Sequence, residues 1–282
     1  MKSRSNFLEP KEQKAWQYSD GARASKHSLH AWLLPARVRA DGSIESAALR
    51  IVSINALTEI GDMDIGKIYR PTTGADDWQQ FLADPEKQWR RGYSAMAAAL
   101  SWECANGLPQ EIAELIGGSP ELLLAIPEHK VALPGGSRDS QCDVFALVKA
   151  SEDTIAVSIE AKVNEPFGPT VGEWLKDAST GKIERLRFIC ELLGLDKSPP
   201  DGLRYQLFHR TAAAILEAQR FKTDGAAMIV QSFSQENRWF EDFEAFAHLF
   251  GLEVEPGRSA RIELPSGKPL FLGWAVGSAE YL

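Results

Sequence analysis

Two carboxylates and a lysine lie at spacings that would bring them together on one β-hairpin. Two strand-like runs, 142–149 and 154–163, flank a short polar turn. Because side chains alternate between the faces of a strand, Glu160 and Lys162 would project from the same face. A turn centred midway between the runs sets Asp143 opposite Glu160, since both lie 8.5 positions from that centre, and a slip of one residue would undo the pairing.

Such a cluster is suited to metal-assisted hydrolysis of a phosphodiester. Two close carboxylates repel each other unless one is protonated or a cation lies between them. Oxygen ligands with room for water suit Mg²⁺ or Mn²⁺. A lysine beside the metal could orient and deprotonate a water molecule and stabilise developing negative charge. The alternative is a surface hairpin with an ordinary Glu–Lys pair, because a bare Glu-x-Lys triplet is common by chance.

Glu103 is a further candidate ligand. Asp84 followed by proline predicts a helix start. Apolar residues then recur at helical spacing on one stripe that also contains Glu103, namely Trp89, Tyr93, Met96 and Leu100. A carboxylate on a buried stripe needs a metal or a basic partner. Alternatively, Glu103 lies in the last helical turn and reaches solvent.

The segment Arg204-Tyr-Gln-Leu-Phe-His-Arg210 predicts a helix with a polar face. Gln206 shares that face with His209 and Arg210, three and four residues further on. These side chains could bind a phosphate or a water molecule, with Arg204 and the serines of the GGSRDSQCD segment, Ser137 and Ser140, as further substrate contacts. The alternative is an ordinary solvent-facing helix start. No Ser-His-Asp arrangement can be assigned.

In order and context these residues resemble the PD-(D/E)XK nuclease superfamily. More narrowly, GGSRDSQCDVFAL, EAKVNEPFG and RYQLFHRTAAAI resemble an uncharacterised bacterial family placed in that superfamily. The resemblance implies a restriction endonuclease-like core, with a four-stranded mixed sheet flanked by helices, and hydrolysis with one or two Mg²⁺ ions. It further implies metal ligands at Asp143, Glu160 and Glu103, water activation by Lys162, and a polar catalytic position at Gln206. One departure is that Cys142, not proline, precedes Asp143, although many members lack that proline.

The elements that must position these residues indicate an α/β, or mixed α+β, domain. Helical and strand-like segments alternate along the chain, which predicts a central mixed sheet flanked by helices. The stretch 261–276 predicts a C-terminal hairpin. We expect a nuclease-like domain over 81–282 and a partly ordered N-terminal extension over 1–80.

Composition limits the partners. The chain carries 39 acidic and 31 basic residues, a net charge of −8, which argues against extensive non-specific binding of nucleic acid. Residues 176–222 nevertheless hold nine bases against six acids, so the composition is compatible with local binding of nucleic acid. We expect DNA rather than RNA as the partner. No signal peptide, membrane span or paired-cysteine motif is evident, which predicts a cytoplasmic protein without membrane contact.

The expected activity is therefore a Mg²⁺- or Mn²⁺-dependent nuclease without a nucleotide cofactor. A catalytically inactive protein that keeps the fold as a binding or structural module is the main alternative. A glycosidase-type carboxylate pair is a second alternative, but it leaves Lys162 unused. The sequence leaves the oligomeric state open, a homodimer included.

Overall fold

The computed structural model describes residues 72–282, so most of the expected N-terminal extension lies outside the described residues. Within them the strands are β1 (Glu121–Val131), β2 (Ser140–Ala150), β3 (Asp153–Lys162), β4 (Gly225–Ser232), β5 (Ser259–Glu263) and β6 (Pro269–Val276). The α-helices are α1 (Pro85–Gln88), α2 (Ser94–Ala105), α3 (Gln110–Ile116), α4 (Val171–Leu175), α5 (Thr180–Leu193), α6 (Tyr205–Phe221) and α7 (Phe240–His248). Short 3-10 helices cover Ala75–Phe81 and Ala279–Tyr281.

The six strands form one mixed sheet in the order β1-β2-β3-β4-β6-β5. Strands β1, β2 and β3 are antiparallel neighbours, whereas β4 runs parallel to both β3 and β6. Strand β5 returns antiparallel to β6 and forms the expected C-terminal hairpin. The α/β class with a mixed sheet and flanking helices is thus confirmed.

The hairpin of β2 and β3 has the register expected from its turn. Val144 pairs with Ile159 and Ala150 pairs with Asp153, so the turn is centred where the sequence places it. Ser151 in that turn has a φ of 53°. The register that the sequence predicts for Asp143 and Glu160 is therefore the one that the strands adopt.

Helices cover both faces of the sheet. The face of α5, α6 and α7 buries the larger core cluster, which includes Phe145, Leu207 and Met228. On the opposite face, α2 and α3 pack over a second cluster around Val157 and Trp102. Strand β4 is buried along its whole length, as expected for a central strand whose neighbours are parallel and whose faces are both covered.

The helix expected to continue from Asp84 is interrupted. Helix α1 spans only Pro85–Gln88, and α2 begins at Ser94. Between them Gly92 has a φ of 79°, a left-handed conformation that glycine adopts without a Cβ clash. The expectation of one continuous helix was wrong, and the stripe from Trp89 to Glu103 does not exist as a helical face.

A small third cluster joins α2 to the end of β3. Ala97 and Ala98 on α2 pack with Ala161 and Val163 and with Phe233. Because alanine side chains are short, the helix can approach the strand closely. This contact brings the N-terminal turn of α2 next to Glu160 and Lys162 at the carboxyl end of β3.

Candidate active site

A cavity of about 490 Å³ lies between the carboxyl end of β3, the first turns of α6 and the start of α2. Its lining includes the carboxylates of Glu128, Asp143, Glu160 and Glu165, the cations Lys87, Lys162 and Arg210, and the polar side chains Gln88, Tyr93, Ser94, Gln141 and Gln206. Five of the side chains expected to carry chemistry therefore line one cavity, namely Asp143, Glu160, Lys162, Gln206 and Arg210.

Glu160 is the centre of the cluster and is 3% exposed. Its Oε1 accepts hydrogen bonds from Lys162 Nζ at 2.6 Å and from Gln206 Nε2 at 2.6 Å. Its Oε2 accepts from Arg210 Nε at 2.5 Å. Burial alone would raise the pKa of Glu160, but Arg210 and Lys162 outweigh burial and hold that pKa at about 2. Glu160 is therefore a carboxylate at neutral pH.

Asp143 lies beside Glu160 but has a different electrostatic environment. The register of the hairpin sets it next to Glu160, and its Oδ2 accepts the backbone N–H of Ala161 at 2.6 Å. Burial, and then the nearby carboxylates of Glu160 and Glu128, raise the pKa of Asp143 well above its ordinary value. Asp143 is thus the carboxyl group whose ionisation this cluster favours least.

Lys162 is charged in this environment. Burial would lower its pKa, but the carboxylates of Glu160 and Asp143 outweigh burial and raise the pKa. Its Nζ also lies 5.3 Å from the centre of the Phe167 ring. A charged ammonium can stabilise negative charge and orient a water molecule, but it does not accept a proton.

Helix α6 delivers two contacts to Glu160 from consecutive turns. Gln206 and Arg210 are four residues apart and both reach its carboxylate, as expected for side chains on one helical face. His209 lies behind them, with Nδ1 2.8 Å from Ser140 Oγ, and Arg210 Nη1 donates to the same Ser140 Oγ at 3.2 Å. Burial and Arg210 lower the pKa of His209 well below its ordinary value, so it is neutral.

The structure places five of the sequence-based candidates outside the cavity lining. Glu103 lies outside the cavity lining, and its Oε1 accepts from Thr72 Oγ1 and from Trp78 Nε1, both at 2.7 Å. Arg204 pairs with Asp242 at 2.9 Å rather than entering the cavity. Ser137 lies exposed outside the cavity lining. Ser140 and His209 likewise lie outside the lining and support Arg210 from behind.

Glu128 is the site residue that the sequence interpretation missed. The β1–β2 register on either side, Pro127 with Val144 and His129 with Cys142, sets it next to Asp143. Glu128 is 7% exposed with a φ of 51°, and it accepts from Gln141 Nε2 at 2.5 Å. A carboxylate between two short apolar runs, LLLAIP and VAL, was the available signal.

A second missed residue, Arg185 on α5, organises the GGSR loop ahead of β2. Its guanidinium donates four hydrogen bonds of 2.7–3.0 Å to backbone carbonyls, those of Leu133, Pro134, Gly136 and Arg138. The loop therefore has a fixed path into β2, which carries Asp143. The sequence separation of about 50 residues gave no signal for this contact.

Comparison with protein-family models assigns most of the chain to a known family. Residues 71–279 match the family described as a domain of unknown function, DUF6946. The chain belongs to this family. Comparisons with curated proteins and with solved structures gave no match.

The donor set of the DUF6946 domain bears on the metal expected from the sequence. Within residues 72–282, no three Asp, Glu, His or Cys side chains are grouped so as to hold a metal ion. Both oxygens of Glu160 already accept hydrogen bonds. The donor chemistry of the adjacent carboxylates Asp143 and Glu160 is nevertheless of the oxygen type that suits a divalent cation, and a cation would offset the burial and the carboxylate repulsion that raise the pKa of Asp143.

No helix among the described residues is long and apolar enough to cross a membrane.

All three cysteines of the chain lie in the DUF6946 domain as free thiols, with Cys142 and Cys190 buried and Cys104 exposed. Burial raises the pKa of Cys142 to about 12, so this thiol is not a nucleophile.

Proposed function

We propose that the domain is a metal-dependent phosphodiesterase of the PD-(D/E)XK type that acts on nucleic acid, with DNA favoured. The observation that carries the proposal is the convergence of Asp143, Glu160 and Lys162 in one cavity, with Gln206 bonded to the same carboxylate. The residue types and their order along the chain agree with the resemblance. A cytoplasmic location is part of the proposal, supported by the free cysteines.

The strand arrangement supports this proposal. Strands β1, β2 and β3 form an antiparallel set, and β4 adds in parallel after the helical crossover that contains α6. This agrees with the four-stranded mixed sheet that the resemblance implies. In this arrangement the hairpin of β5 and β6 extends the sheet beyond β4.

Asp143 and Glu160 would hold Mg²⁺ or Mn²⁺, with Glu128 as the nearest further carboxylate. The metal would supply Lewis acidity and would lower the pKa of a bound water molecule. Lys162, as an ammonium, would stabilise charge that develops on the phosphoryl oxygens and orient the attacking water. Gln206 would fix the orientation of Glu160.

A specific observation favours a second candidate function. Glu160 is engaged by Lys162, Gln206 and Arg210, and this arrangement balances its charge without a metal. A nuclease-derived binding module that has exchanged metal for an arginine would have such a site. The two candidates differ in whether a divalent metal is required.

The test is hydrolysis of end-labelled DNA and RNA, single- and double-stranded, with Mg²⁺, with Mn²⁺ and with a chelator. We expect cleavage only with metal, and its loss in Asp143→Asn and in Lys162→Met. Arg187→Ala, an exposed change on α5, is the matched control and should retain full activity. If the folded protein leaves every substrate intact with both metals, the nuclease proposal is wrong and the binding module is favoured.

A further inference from the structure

The cavity has a second wall that the proposed chemistry does not use. Lys87 and Gln88 at the end of α1, together with Tyr93 and Ser94 at the start of α2, form this part of the lining. Tyr93 is 46% exposed, which is unusual for a large aromatic side chain, and its ring stacks on no other ring among the described residues. An exposed aromatic ring at the edge of a cavity is a ready surface for a planar ligand.

The local fold holds Tyr93 in this position. Ala97 and Ala98, one turn further along α2, are fully buried against the end of β3. Gly92, with its left-handed φ, turns the chain into α2 immediately before Tyr93. The ring is therefore attached to a packed element rather than to a free loop.

The lining of the cavity has a charged region and an aromatic region, which together suit a ligand with two chemically different parts. Its lining contains three cations and four carboxylates, so a phosphate is attracted only close to Lys162 and Arg210 and with a neutralising cation. The Tyr93 wall offers aromatic surface and the side chains of Gln88 and Ser94, which suit an uncharged planar group with hydrogen-bonding edges. A nucleotide has both parts, a phosphate and a base.

We propose that the cavity accepts a single nucleotide of an unpaired strand, with its base stacked on Tyr93 and its phosphate on the side of Lys162 and Arg210. The identification of the ligand as nucleic acid rests on the proposed function. A volume of about 490 Å³ lies in the range of pockets that enclose small molecules. Bases stacked in a duplex cannot enter such a pocket unless they are unpaired, so single strands, strand ends or flipped nucleotides are the substrate class.

The test measures affinity separately from cleavage. Binding of the full chain to a fluorescein-labelled single-stranded oligonucleotide, and to a fully paired duplex of the same sequence, is followed by fluorescence anisotropy with Ca²⁺ as the divalent ion. The wild-type protein, Tyr93→Phe and Tyr93→Ala are compared. Ile183→Ala, which removes an exposed apolar side chain on α5, serves as the control.

We expect tighter binding of the single strand, retained by Tyr93→Phe and by Ile183→Ala and weakened about tenfold by Tyr93→Ala. Equal or tighter binding of the duplex, unchanged affinity in Tyr93→Ala, or no binding by the wild type overturns the inference. Tyr93-dependent binding of single strands without cleavage would support the inference while the nuclease proposal fails. Cleavage that does not depend on Tyr93 would do the reverse.

Discussion

Arg210 on α6 donates from Nε to Oε2 of Glu160 on β3 at 2.5 Å, and both side chains are buried. Lys162 contacts the other oxygen of the same carboxylate. One buried anion thus contacts two buried cations directly, whereas Asp143 beside it accepts a backbone N–H, and burial with the nearby carboxylates outweighs the more distant charges of Lys162 and Arg210. This unequal distribution of charge determines how the site should respond to mutation, pH and metal.

Removing Glu160 should destabilise the fold strongly. In Glu160→Ala, Lys162 and Arg210 become buried cations without a counter-charge, and breaking a buried pair in this way costs about 3–5 kcal/mol. Urea denaturation measures the change in the free energy of unfolding. Glu191→Ala, which removes the exposed partner of Arg187, is the control and should cost less than about 1 kcal/mol.

If Glu160→Ala does not fold, the double variant Glu160→Gln with Arg210→Met keeps the prediction testable. It removes one cation together with the anion, and we expect it to be more stable than Glu160→Gln alone. Equal stability of these two variants would show that the Arg210–Glu160 contact does not determine the stability of the site.

Asp143→Asn should have the opposite sign, and its effect should depend on pH. Since the pKa of Asp143 is raised in the folded protein, the stability linked to its proton is present at low pH and is lost as pH rises through that pKa. Asparagine can still accept the Ala161 N–H but carries no charge. We expect a gain of about 1 kcal/mol at about pH 8 that shrinks towards about pH 4.

Glu160 should show the reverse dependence in the wild-type protein. Its pKa falls from 4.5 to about 2 on folding, so its contribution is complete above about pH 5 and is lost as pH falls through that window. Urea denaturation of the wild type and of Asp143→Asn, repeated at several pH values up to about pH 8, separates the contribution of Glu160 from that of Asp143. Parallel pH profiles for the two proteins would contradict the assignment of the raised pKa to Asp143.

Arg185→Ala should disrupt the loop that leads into β2. Four backbone carbonyls between Leu133 and Arg138 lose their donor, and unpaired buried polar groups cost about 1–3 kcal/mol each before water replaces the bond. We expect a loss of about 3 kcal/mol together with faster amide hydrogen exchange in residues 134–139. Arg187→Ala, on the exposed side of the same helix, should change neither quantity, and equal effects of the two changes would contradict this role.

The cluster could be predicted from the sequence where it depends on short-range geometry. The turn fixes the register that pairs β2 with β3, and strand alternation then places Glu160 beside Lys162. The four-residue spacing of Gln206 and Arg210 likewise follows from helical periodicity alone. These relationships involve a few neighbouring residues or one turn, so a single sequence contains them.

The rest of the site depends on contacts between distant segments. Glu128 reaches Asp143 through the pairing of β1 with β2 and a left-handed backbone conformation, neither of which its local sequence specifies. The sequence grouped Glu103 with the cavity residues because apolar spacing predicts a continuous helix, whereas Gly92 breaks that helix and Trp78 donates to the Glu103 carboxylate. Arg185 contacts a loop about 50 residues away, which no local pattern reveals.

Metal binding should distinguish Glu128 from Glu103. In the proposed function, Glu128 adds negative charge next to Asp143, whereas Glu103 is engaged elsewhere by Thr72 and Trp78. We expect Mn²⁺ at millimolar concentration to raise the Tm of the wild-type protein, because a ligand that binds only the folded state stabilises it. A chelator should reverse the shift.

For each variant, the Mn²⁺-dependent shift is measured from the metal-free Tm of that variant. We expect this shift to be small in Glu128→Gln and absent in Asp143→Asn. In Glu103→Gln it should equal the shift of the wild-type protein. Direct titration of Mn²⁺ followed by electron paramagnetic resonance measures the same affinities without relying on unfolding. A shift that is lost in Glu103→Gln and kept in Glu128→Gln would place the metal away from the cavity. No shift and no bound Mn²⁺ in the wild type would favour the binding module, in which Arg210 and Lys162 already supply the positive charge that Glu160 requires.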